Sequence, residues 1–258
     1  MVARYASVLL LVFAACDQAP VDWHEPVAIP TPAPGSHLTI DSAGDAKFVA
    51  GSARAASTPV FPGLCVGSFR TVAGTVHIHS VWWNVRPDSS AVLDAASSSD
   101  SGKTWGIPQA VDTSDVSSRG CSRPPPSVAT VGDDLYVAYS MTASEGTGVF
   151  SAHTMASMLH SPVAVIYGER LVSTAIAVDG VHVAVAYEQP NGKRKQIDVA
   201  LSRTQGHIFE RHFTATRDVD VAILPSVALA DHSLAVSWTA RPFGAGPPSQ
   251  VVRAGHLR

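Results

Sequence analysis

Short apolar runs recur along the chain in pairs, each pair joined by a turn rich in Gly or Asp. Pro126–Tyr139 (PSVATVGDDLYVAY), Thr174–Tyr187 (TAIAVDGVHVAVAY) and Pro225–Trp238 (PSVALADHSLAVSW) are three copies, and Thr71–Trp82 (TVAGTVHIHSVW) is a shorter fourth. In each, an apolar strand leads through a tight turn to a second strand that ends in an aromatic. Asp and Gly supply the positive φ angles such turns need. The aromatics Trp82, Tyr139, Tyr187 and Trp238 are spaced by 57, 48 and 51 residues. A looser segment and a third strand follow each pair, at Ala91–Ala96, Gly148–His153, Gln196–Ser202 and Gln250–His256. The 3.6-residue period of a helical repeat is missing.

A repeat of this length, with three or four strands, predicts an all-β chain folded as a β-propeller with antiparallel four-stranded blades. Four copies are clear, and Leu38–Ser52 reads as a degenerate further pair, so about five blades are expected, with four or six as alternatives. The last copy stops at Arg258, just after its third strand. Trp23–Ile29 is similar to Trp105–Val111, the fourth strand of an earlier copy. The N-terminal segment is therefore expected to complete the last blade and remove an exposed edge.

The chain is 46% hydrophobic and 15% charged, with a net charge of -3. This excludes a disordered charged tail and argues against a nucleic-acid partner. Residues 1–16 combine Arg4, an apolar run too short to span a bilayer, and small residues before Cys16. They are expected to form a signal peptide with a bacterial lipobox, Cys16 being lipidated; an ordinary signal peptide cut near Ala15 is the alternative. Residues 17–36, with five prolines, read as a stiff tether that also supplies the closing strand, and residues 37–258 as the propeller. The expected location is the cell envelope, on the extracytoplasmic side of a bacterial membrane, held there by the lipid. Export leaves Cys65 and Cys121 in equivalent places of adjacent blades, where one disulfide is expected and two buried thiols are the alternative.

Ser98, Asp100, Gly102, Thr104 and Trp105 match S-x-D-x-G-x-T-W, and an eroded copy lies at Ser202–Phe209. This resembles the Asp-box of the sialidase superfamily. The chemistry of the box is structural, because a short Asp can hold its own loop and Gly permits a left-handed turn. Ser68–Val72 resembles the sialidase motif whose Arg binds the substrate carboxylate, with Arg70 in that place and Thr71-Val72 replacing Ile-Pro. The resemblance implies an acid/base role for Asp88 and makes the neighbours Tyr187 and Glu188 candidates for nucleophile and activator.

Topology adds Arg123 and Arg170 before first strands, and Glu145, Glu188 and Arg241 after second strands, all on one propeller face. Clustered Arg suits a carboxylate ligand. Two functions follow. One is a non-catalytic module that binds a glycan or an envelope protein. The other is an exo-sialidase-type glycoside hydrolase acting on a terminal acidic sugar. No cofactor is expected. His77 and His79 share a strand face without a third ligand, so no metal site is expected either.

Overall fold

A computed structural model describes residues 20–50, 57–58, 60–216, 221–242 and 246–258. Residues 1–16, where a signal peptide and a lipidated Cys16 are expected, lie outside the described residues. Four antiparallel four-stranded blades follow one another in the chain. Blade one contains Arg70–Ala73, Ile78–Val85, Ala91–Ser98 and Gln109–Asp112. Blade two contains Ser127–Val131, Asp134–Ala143, Gly146–Met155 and Val163–Tyr167, with the short strand Met158–Leu159 attached to its third strand. Blade three contains Thr174–Asp179, His182–Asn191, Arg194–Ser202 and Arg211–Thr214.

Blade four begins with Val221–Ala230, Ser233–Arg241 and Ser249–Leu257. Its outer edge is filled from the other end of the chain. Val21–Trp23 and Val27–Ile29 both pair antiparallel with Ser249–Leu257, Val21 lying opposite Leu257 and Ile29 opposite Gln250. The chain is thus a β-propeller. Its fifth element is a two-stranded hairpin, Ser36–Ile40 with Ala46–Ala50, rather than a four-stranded blade.

The core consists of seams between blades. Trp83, Leu93 and Val111 of blade one meet Leu135, Tyr139 and Met141 of blade two. Tyr136 and Val149 of blade two meet Val183, Val185 and Tyr187 of blade three. Ile197 and Leu201 of blade three meet Leu234 and Trp238 of blade four, with Val21 beside them. Leu38 of the hairpin packs on Ala228, Ala235 and Val252 of blade four. The repeating aromatic therefore fills the same place in three repeats, packing toward the preceding blade in blades two to four. Trp82, in blade one, instead stacks on Phe61 at 5.2 Å.

Polar bonds stitch the same seams. Asp133 of blade two accepts the amides of Val76 and His77 in blade one at 2.8 and 3.1 Å. Gly74 is needed there, since a Cβ would lie 2.5 Å from Asp133 Oδ1 and 2.9 Å from the Gly132 carbonyl oxygen. Cys65 and Cys121 form a disulfide with a Cα–Cα distance of 5.4 Å, tying the segments that lead into blades one and two.

Candidate functional site

The Ser98–Trp105 turn is a closed polar loop. Asp100 Oδ1 accepts the amides of Lys103 and Thr104 at 3.0 and 2.9 Å, and Oδ2 accepts the Thr104 hydroxyl at 2.6 Å. The Gly102 amide donates to Ser98 Oγ at 2.8 Å. These bonds, led by the Thr104 hydroxyl, hold the Asp100 carboxyl far below the usual carboxylate range. Trp105 Nε1 donates to the Ser57 carbonyl at 2.7 Å. The Ser202–Phe209 turn repeats the plan with Thr204 in the Asp place. Gly206 N donates to Ser202 Oγ at 3.0 Å, and Ile208 N to Thr204 Oγ1 at 3.1 Å. Ser101 and Gln205, at matching positions, both have positive φ, 65° and 57°. All of these groups are occupied with holding a turn.

The opposite face carries the residues named as sialidase-like, and most of them bond within the fold. Asp88 caps its own turn. Its Oδ1 accepts the Ser90 hydroxyl at 2.7 Å and the Ser90 amide at 3.0 Å. Those bonds keep its carboxyl below the ordinary value, the opposite of what a proton donor at neutral pH requires. Arg123 is sealed inside, its side chain 0% exposed. It pairs with Asp115 and donates to the Gly120, Ser89 and Ser117 carbonyls. It holds the lead-in to blade two and cannot meet a ligand. Arg70 is turned onto its own lead-in, Nη1 donating to the Phe69 and Gly67 carbonyls at 2.8 and 3.1 Å.

Tyr187 and Glu188 do not form a nucleophile and activator. Adjacent strand residues point to opposite sides. Tyr187 lies in the seam between blades two and three, its hydroxyl 3.4 Å from His212 Nδ1. Burial pushes that phenol far above its ordinary value, with the charge of Asp198 adding to the effect. Glu188 turns toward blade four. Its Oε2 meets Lys195 Nζ at 3.1 Å, and its Oε1 accepts the Leu224 amide at 3.1 Å.

Arg170, Tyr187 and Glu188 are nonetheless brought together as lining of one cavity of about 500 Å³, between blades two and three. Tyr167, Glu169 and Gln189 share its wall. A smaller recess of about 150 Å³ shares Arg170 and Glu188 with it and adds Lys193, Arg194 and Lys195. Arg170 is exposed, and no carboxylate among the described residues engages it. Arg70, Asp88, Arg123 and Arg241 line neither cavity; Arg241 stands exposed at the end of its strand. The sequence reading missed the basic tip of blade three. Its signal was the run Lys193-Arg194-Lys195 just after Asn191-Gly192.

The sequence reading also missed a histidine cluster on the face of the Ser98–Trp105 turn. One ring nitrogen each of His153, His160 and His207 lies within 4.8 Å of the others. Burial, then the charges of His207 and His160, push His153 down to about 4, so it is neutral at pH 7.

No family model matches the chain, and no curated protein matches it. Solved structures do. A Dyadobacter fermentans protein of unknown function is 15% identical with a TM-score of 0.53, over 73% of this chain and 52% of that one. A Hadza microbial sialidase is 13% identical with a TM-score of 0.50, over 72% of this chain and 43% of that one. The chain thus spans about half the length of these structures. The likeness shows the sialidase-like propeller fold.

Proposed function

We propose that this chain is a non-catalytic propeller module that binds an acidic glycan in the groove between blades two and three. It would do so at the cell envelope, on the extracytoplasmic side of a bacterial membrane, anchored through lipid on Cys16. The observation that carries the reading is the cavity of about 500 Å³ with an unengaged Arg170 at its wall and Lys193, Arg194 and Lys195 beside it. A guanidinium with no partner among the described residues suits a bidentate sugar carboxylate. Tyr167, about half exposed, adds an aromatic ring to the wall against which a sugar could pack. The reading is non-catalytic because Asp88, Tyr187 and Glu188 are each committed to bonds within the fold.

The test is calorimetric titration of the purified chain with sialyllactose and a galacturonan oligomer, and with lactose as the neutral control. Acid-bearing sugars should bind, lactose should not, and Arg170→Ala should weaken binding by about tenfold or more. Equal binding of lactose, or an unchanged Arg170→Ala, overturns the groove assignment. Release of a fluorogenic leaving group from an α-sialoside, lost in Arg170→Ala, overturns the non-catalytic assignment in favour of a sialidase. Detergent-phase partition that disappears in Cys16→Ser checks the anchor separately.

A further inference from the structure

Three imidazoles converge at the seam between blades two and three. His153 lies near the end of the third strand of blade two, His160 just after the attached strand Met158–Leu159, and His207 in the Ser202–Phe209 turn of blade three. The His153 ring is sandwiched between Tyr136 at 5.4 Å and His160 at 4.8 Å, both nearly parallel to it. His207 meets it edge-on at 4.7 Å. The backbone holds the group in place: His160 N donates to the His153 carbonyl at 2.9 Å, and His207 N to the Thr204 carbonyl at 3.1 Å.

One atom in this arrangement is unaccounted for. His153 is 3% exposed, and its Nε2 is buried without a hydrogen-bond partner among the described residues. A buried ring nitrogen with nothing to bond is costly and calls for an unseen partner. Within 4.8 Å of a His153 ring nitrogen lie nitrogens of two further imidazoles, a donor set suited to zinc and its transition-metal neighbours.

We infer that His153, His160 and His207 form a zinc site that clasps blade two to blade three, with water in the fourth position. Zinc–nitrogen bonds of roughly 2.0–2.1 Å place tetrahedral ligands about 3.4 Å apart. Reaching that spacing from 4.8 Å asks for side-chain rotation of half-buried His160 and exposed His207, while His153 stays in its slot. The exposed side of His207 leaves room for the water. Only when the two blades are docked are all three ligands in place, so the ion binds the folded state and stabilises the seam.

The full chain, without an affinity tag, is titrated with Co(II) and then Zn(II), following visible absorption, affinity and thermal midpoint. The expected result is one tight equivalent, an intense four-coordinate cobalt spectrum displaced by zinc, and a midpoint raised by metal. His160→Ala and His207→Ala, checked for native circular dichroism, should each weaken binding by more than about 100-fold and abolish the metal-dependent shift. Because both side chains reach the surface, loss of binding in a folded variant reports the site. Absence of tight binding overturns the inference. So does unchanged affinity in either variant, as binding elsewhere would give, for instance at the two-histidine pairs His77–His79 and His182–His232, whose ring centroids lie 6.3 and 5.7 Å apart.

Discussion

Glu188 Oε1 accepts the backbone N–H of Leu224 at 3.1 Å, across the seam between blades three and four. Leu224 has φ 56° and sits where the register of its strand slips between Ile223 and Ser226. The strand continues through Pro225 because this bulge absorbs the missing N–H. Glu188 thus holds a strained residue in place, while its other oxygen holds Lys195.

That arrangement makes Glu188 a stability residue. Glu188→Ala should cost about 1–3 kcal/mol, since it strands a half-buried amide. Glu188→Gln, which keeps an acceptor, should lose less. Urea unfolding with unchanged m-values measures both. Arg170→Ala, exposed and unpaired, should leave the midpoint where it was.

Arg123 should behave as a core residue despite its charge. Removing it leaves Asp115, 1% exposed, as a buried carboxylate without its cation. Arg123→Ala is expected to cost about 3–5 kcal/mol, far more than Arg70→Ala or Arg241→Ala. Thermal unfolding of the three variants side by side decides it.

Reduction should loosen the first two blades. The Cys65–Cys121 bond spans a separation of 56 residues, and constraining a loop of that size stabilises by roughly 4 kcal/mol in the chain-entropy account. The Cys65→Ser, Cys121→Ser double variant should lose much of this. The early change should appear in proteolytic sensitivity of the segments leading into blades one and two.

The blades were legible because one position does the same work in three of the four repeats: Tyr139, Tyr187 and Trp238 each fill a seam beside the preceding blade. The site was not. Arg70, Arg123 and Arg170 share a place before first strands, yet one bonds its own loop, one is sealed inside and one is open. What separates them is a local partner, such as Asp115 for Arg123, which spacing does not reveal. The histidine cluster was hidden for another reason. His153 and His207 belong to different blades, and only the docking of the blades brings them together.

Acid should erase the value of Asp100. Its folded-state carboxyl titrates below the unfolded value, so its contribution is complete above about pH 4 and fades as pH falls toward the folded value. The gap in thermal midpoint between the wild type and Asp100→Ala should be open at about pH 7 and narrow at about pH 3. A gap that widens in acid would contradict the hydrogen bonds drawn to its oxygens.

Blade four waits for both ends of the chain. Val21 pairs with Leu257, so a strand among the first of the described residues to leave the ribosome finds its partner among the last. At synthesis rates of roughly 5–20 residues per second, that interval lasts some tens of seconds. Until Ser249–Leu257 arrives, Val21–Ile29 remains a strand-forming segment without its pairing partner. Any factor that escorts the nascent chain would have this segment to shield, and it could let go only once synthesis has passed Leu257.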